Sequence, residues 1–286
     1  MSIDRVPTMT DALATLIDAG VRFGSVLDVG VNYETTPLKN TFPNLKHHLF
    51  EPVQFYFDYI ESGYKEVPHL LHRVALSDQQ GTAYLNSYAM FGDGKISHSH
   101  LADKPASSTD DFFVRCTEVA KTTLDREMAN DDGAPYLLKI DVDGHEPQVL
   151  SGAQDTLRRT AAVVIEATLP RVPVLIDRFA EWGFRLFDVV DLSYYRAMLQ
   201  QVDLVFVRDD LMRENPWFDR WATPFDLTYW HVHSPYPRWP GITDEDARTE
   251  LAATRAELDA MRNARSWRMT APLRAMVRWA RQLRRA

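Results

Sequence analysis

Apolar and polar positions alternate along the first 210 residues in short runs of two kinds. Runs of four to ten residues rich in branched side chains predict strands at 25–29, 47–50, 69–76, 82–86, 114–123, 136–140, 161–165, 184–190 and 202–207. Between them, apolar residues recur at helical spacing: Met9, Leu13, Leu16 and Ile17 with a stop at Gly20, Phe55 to Ile60 closing at Gly63, a helix from Glu146 through Val149, Leu150, Ala153 and Leu157, and another over 173–183. Strands alternating with helices imply an α/β fold, with a seven-stranded, mostly parallel sheet and helices on both faces. The last two strands are separated by only 11 residues, too few for a crossover helix, and are expected to form an antiparallel pair at a sheet edge. Residues 91–112, polar and rich in Gly, Ser, His and Asp, read as a long loop near the sheet's carboxyl edge.

Polarity concentrates where strands stop. Asp28, Glu51, Asp78, Asp141 and Glu166 each follow or close an apolar run, so all are expected at the carboxyl edge, where open α/β sheets keep their ligands. The densest case is Tyr136–Gly152, YLLKIDVDGHEPQVLSG, in which a buried strand delivers Asp141, Asp143, His145 and Glu146 to a strand-to-helix turn. Asp28-Val29-Gly30-Val31-Asn32 makes a tight turn but carries no Gly-x-Gly-x-x-Gly, which disfavours a hydride-transfer dinucleotide enzyme. Glu51 lies 23 residues after Asp28, near the offset at which a nucleotide-binding unit places the acid for ribose hydroxyls. A lining of carboxylates suits a cationic nucleoside without phosphate better than a triphosphate.

Composition narrows the setting. The chain has 286 residues, 45% of them apolar, no apolar run long enough to span a bilayer and no signal-like amino terminus, so a cytoplasmic protein is expected. A lone Cys116 allows neither an intrachain disulfide nor a thiolate zinc site. The net charge of −8 is uneven: residues 262–286 hold eight arginines and no acid, leaving 24 basic against 40 acidic groups, or −16, in 1–261. Such a body repels nucleic acid, whereas the tail is drawn to an anionic surface. The domain reading is 1–212 for the catalytic domain, 213–242 for a Trp- and Pro-rich cover, and 243–286 for a helical, Arg-rich tail. Leu251 and Leu258 leave room for a homodimer through its first helix.

The set DVGVN, FEP, ALSD followed by Gly81, KIDVDGHEPQVLSGA and VVIEA resembles the FkbM-type S-adenosylmethionine-dependent methyltransferases over about residues 22–207. That resemblance implies a class I methyltransferase (Rossmann-like) fold and S-adenosyl-L-methionine as cofactor, leaving S-adenosyl-L-homocysteine. It implies Asp28, Gly30 and Asn32 under the methionine part, Glu51 on the ribose hydroxyls, Ser77 and Asp78 near adenine, and Asp141 at the methyl-transfer edge. The family commonly carries a second glycine two residues after the Asn, where this chain has Glu34.

Methyl transfer to a hydroxyl needs a proton acceptor, for which Asp141 and His145 rank first and His98 next; Asp143, Glu146, Glu166 and His100 are further candidates. No metal site is expected, although Asp141, Asp143 and Glu166 could hold Mg2+ as a less favoured arrangement. Ser266–Arg274, SWRMTAPLR, resembles a short tail of many bacterial enzymes that build cell-surface glycans. The expected activity is O-methylation of a saccharide or glycoconjugate hydroxyl, with a peripheral inner-membrane or glycan-assembly partner through residues 262–286. The alternatives are O-methylation of a polyketide or lipid hydroxyl, and a non-catalytic cofactor-binding scaffold.

Overall fold

The structure, a computed structural model, describes residues 6–89, 96–106, 112–215, 218, 252–254 and 256. The chain divides into two compact units, Met1–Tyr229 and Trp230–Ala286. In the second, residues 252–254 and 256 are helical. Apart from 213–215 and 218 in the first unit and these four residues in the second, the expected cover at 213–242 and the tail at 243–286, including its Leu251–Leu258 helix and its arginines, lie outside the described residues.

In the first unit the strands are β1 (Ser25–Val29), β2 (Lys46–Phe50), β3 (His69–His72), β4 (Ala75–Leu76), β5 (Gly81–Tyr88), β6 (His98–Ala102), β7 (Phe113–Thr122), β8 (Tyr136–Ile140), β9 (Thr160–Thr168), β10 (Phe184–Tyr195) and β11 (Met198–Arg208). The helices are α1 (Met9–Asp18), α2 (Thr36–Thr41), α3 (Phe57–Gly63), α4 (Leu124–Glu127), α5 (Glu146–Ser151), α6 (Gln154–Arg158), α7 (Val172–Glu181) and α8 (Asp209–Glu214). Seven strands form one sheet in the order β10-β11-β9-β8-β1-β2-β3. Its five strands from β9 to β3 run parallel. The expected antiparallel pair closes one edge, with the last strand, β11, inserted between β9 and β10.

Every residue of β1 and β8 is buried, which is why both read as continuous apolar runs rather than alternating ones. Alternate residues serve opposite faces. Leu27, Leu138, Ile140, Ile165 and Phe206 pack into the core with α5, α6 and α7, whereas Val26, Leu137, Val164 and Val205 pack with α1 and α2.

Two expectations are corrected. The run 69–76 is two strands, not one: β3 stays beside β2, while β4 leaves to join a second sheet, β4-β7-β5-β6. The neighbour ends there, because β2 turns at Glu51 and Pro52, and proline has no N–H to continue a ladder. Nor is 91–112 entirely loop, since β6 pairs antiparallel with β5 from Tyr84↔Ala102 to Tyr88↔His98. As the edge strand of the small sheet it is partly exposed along its length, and its polar composition reflects that exposure.

Candidate active site

Three strand ends meet at the centre of the carboxyl edge. The Gly30 N–H donates to Phe50 O (3.0 Å) and the Asp141 N–H to Val29 O (2.9 Å), tying the turns after β1, β2 and β8 together. Gly30 has φ +84°, and a Cβ there would stand 1.8 Å from the Asp141 carbonyl oxygen, so only glycine permits this approach. Asn32, also left-handed at φ 59°, donates its N–H to Glu51 Oε2 (2.9 Å), while Val53 donates its own to Oε1 (2.8 Å). Glu51 is therefore aimed by two main-chain donors. Burial pushes its carboxyl up to about 7 against those donors and Lys139.

Beneath this junction lies Lys139, in the middle of the apolar YLLKI strand and only 5% exposed. Its Nζ donates to Gly30 O (2.9 Å) and pairs with Asp141 Oδ2 (3.2 Å) and Asp28 Oδ1 (3.5 Å). Burial works against its charge, but Asp141 and Asp28 outweigh that and hold it above the ordinary lysine range. Asp28 is fully buried and raised by that burial, with Lys139 opposing. It supports the floor of the site and does not line the cavity.

The cavity, about 260 Å3, is lined by Gly30, Asn32, Glu51, Asp141, Asp143, Glu166 and His98, with an apolar wall that includes Phe50, Val74, Leu76 and Leu85. Among its described lining residues four are acidic and none is Lys or Arg. Asp143, at φ 49°, accepts the Ser99 N–H at 3.0 Å, which fastens β6 and with it His98 to the turn after β8. Burial raises the Asp143 carboxyl, and the Ser99 N–H and His98 oppose the rise. Glu166 is pushed up to about 9 by burial and then by Asp141, Asp143 and Asp203. Asp203, opposite Glu166 on β11, rises to about 7 by burial and by Asp141, with Lys139 opposing.

His145, Ser77 and Asp78 gather in a second hollow of about 250 Å3, with Gln148, Lys121 and Asp103. Ser77 Oγ donates to Asp78 Oδ1 (3.1 Å) and accepts from His145 Nε2 (3.0 Å). The structure thus joins His145 to the pair expected near adenine and not to Asp141. Burial lowers the His145 imidazole, with Asp78 opposing. Leu101, on β6, lines both hollows.

Glu146 faces neither hollow: its carboxylate takes the Gly144 N–H (2.8 Å) and pairs with Arg171 (2.9 Å). Glu34, where the family commonly has glycine, accepts from Thr36 Oγ1 (2.9 Å) and pairs with Lys39, outside the cavity lining. Among the described residues no three or more His, Cys, Asp or Glu side chains are arranged to hold a metal ion. Two members of the site were not singled out from sequence, Lys139 and Asp203. Each stood in view as a charge inside an apolar run, YLLKI and VDLVFV, where burial demands a partner.

No curated protein matches the chain. Among solved structures it is similar to a TehB-like SAM-dependent methyltransferase from Corynebacterium glutamicum, at 15% identity and TM-score 0.33 over 69% of this chain and 87% of that one. It is also similar to the magnesium protoporphyrin IX methyltransferase of Synechocystis, solved with bound SAM, at 11% identity and TM-score 0.38 over 70% and 77%. The model of the methyltransferase FkbM domain matches residues 18–186, more than half of the sequence and the whole of the parallel sheet. The chain therefore belongs to the FkbM-type S-adenosylmethionine-dependent methyltransferases.

Proposed function

We propose that the protein transfers the methyl group of S-adenosyl-L-methionine to a hydroxyl of a saccharide or glycoconjugate. One observation carries the cofactor part: a cavity at the carboxyl edge whose described lining residues include four acids and no Lys or Arg, one of the acids aimed by two main-chain donors. That acceptor set fits a ligand bearing a diol and positive charge but no phosphate. Glu51, with lone pairs beyond those used by Asn32 and Val53, would accept from ribose hydroxyls. The wall of Phe50, Val74, Leu76 and Leu85 would take the base, and Asp141, Asp143 and Glu166 would face the ammonium and sulfonium. Bound there, the cofactor supplies an electrophilic methyl group. Asp141, its carboxylate held by Lys139, and His98, held on β6, would stand at the transfer edge and orient the acceptor. The saccharide acceptor is supported by the likeness of Ser266–Arg274 to the tails of glycan-building enzymes. No Mg2+ is assigned a role.

Titration calorimetry with the cofactor and its demethylated product tests the first part. Wild type should bind both, and Glu51→Ala should weaken both about 100-fold, as loss of charge-assisted hydrogen bonds does; a wild-type chain that binds neither would sink the reading. Methyl-labelled cofactor incubated with saccharide, lipid and polyketide fractions tests the second. Label should enter the saccharide fraction. Label in the other fractions instead would replace the acceptor, and cofactor binding with no transfer at all would favour a scaffold.

A further inference from the structure

We propose that Glu166, acting with Asp141, takes the proton of the acceptor hydroxyl as the methyl group is transferred, an inference that rests on the function proposed above. Glu166 is near the end of β9, a strand buried along most of its length, and its side chain lines the cavity. Asp141 and Asp143 face it from the turn after β8, and Asp203 stands opposite it on β11. The Gln201 amide, also on β11, donates to its Oε1. A cationic group nearby, Lys139, forms its ion pairs with Asp28 and Asp141. Three carboxyl groups of the lining and Asp203, paired across from Glu166, thus gather together, and like charges so gathered cannot all ionise.

In the ligand-free cavity Glu166 is the carboxyl that keeps a proton, raised to about 9 by burial and by its three acidic neighbours, and it donates that proton to Asp141. A positive ligand reverses the balance. With a sulfonium and an ammonium in the cavity, ionised Glu166 is stabilised, and its proton leaves to solvent on binding. During transfer the acceptor O–H bond breaks as the O–CH3 bond forms, the carbon–sulfur electron pair stays on sulfur, and Glu166 takes the hydroxyl proton. Because the sulfonium charge vanishes in the same step, the carboxylate regains its high proton affinity when a base is needed. Proton acceptance is thereby matched to turnover without a histidine.

Calorimetry of the full-length protein at about pH 7, in two buffers of different ionisation enthalpy, counts protons released on binding S-adenosylmethionine and S-adenosylhomocysteine. Wild type should release about one proton more with the former, since only that ligand brings the sulfonium charge. In Glu166→Gln the difference should vanish, with both ligands bound more weakly because a facing carboxylate is lost, and in Asp203→Asn it should remain. The comparison among variants cancels titration of the ligands' own amino groups. Equal release for the two ligands in wild type would overturn the proposal, as would a difference that survives in Glu166→Gln or disappears in Asp203→Asn. Failure of wild type to bind either ligand would instead remove the cofactor reading, and this inference with it.

Discussion

Lys139 carries more of the site than any residue that lines it. Its ammonium joins Gly30 O, Asp141 and Asp28, so replacing it leaves two carboxylates and a carbonyl facing each other across the sheet. Lys139→Met should destabilise the protein by about 3–5 kcal/mol in denaturant unfolding, the usual cost of breaking a buried pair on one side. The acidic groups set a second expectation, in pH. Glu51, Asp203 and Glu166 all titrate above their ordinary values when folded, so their protonated forms favour the folded state. That stabilisation is complete below about pH 4 and is lost as pH rises through about 7 for Glu51 and Asp203 and about 9 for Glu166. Thermal midpoints of the ligand-free protein should therefore fall between about pH 6 and pH 10, and Glu166→Gln should flatten the upper half of that fall. An unchanged midpoint across the range would show that these carboxyls titrate normally. Asp141, Glu51 and Gly30 were readable as site residues because each follows a strand at a turn. Asp28 was readable as conspicuous but not as buried, since its environment depends on a lysine 111 positions away.

Turns and short connections, rather than the strands themselves, place these groups. Gly30→Ala would drive a Cβ into the Asp141 carbonyl and force a left-handed residue to carry a side chain. A loss of about 3 kcal/mol in unfolding free energy, with cofactor binding abolished, is expected. Arg171, in the short turn after β9, reaches back to the Gly144 carbonyl (3.3 Å) and to Glu146, itself 4% exposed, and so latches the turn after β8. Arg171→Ala leaves the buried Glu146 carboxylate with the Gly144 N–H but without its guanidinium partner and should cost about 2 kcal/mol. Melting curves check both, and an Arg171→Ala midpoint equal to wild type would show the latch to be idle. At this scale the pattern of β1, β8 and β9 was legible, because both faces are buried and the apolar runs are unbroken. β6 was not: an edge strand over an open cavity needs no apolar signature, and its partner β5 holds it through the backbone.

For the whole molecule the unequal charge of −16 in 1–261 against eight arginines beyond it is the dominant feature. A chain cut at residue 242 should bind the cofactor as the full chain does, because the described residues that line the cavity all lie before 167. It should also lose salt-sensitive sedimentation with anionic vesicles, which the arginine-rich segment should confer on the full chain. Vesicle binding that survives the cut would assign adhesion elsewhere. Among the described residues no helix is long and apolar enough to cross a membrane. Periodicity and turn chemistry are local, and from them alone the α/β class, the succession of strands and helices along the chain, the antiparallel edge pair and the acids near strand ends were legible. The second sheet, the transfer of Ala75–Leu76 to it, and the division of the polar turn Asp141–Glu146 among three neighbourhoods came from contacts distant along the chain. Asp141 joined Lys139 and Glu166, His145 joined Ser77 and Asp78, and Glu146 joined Arg171, because a side chain's charge state depends on groups brought close in space, which spacing along the chain does not encode.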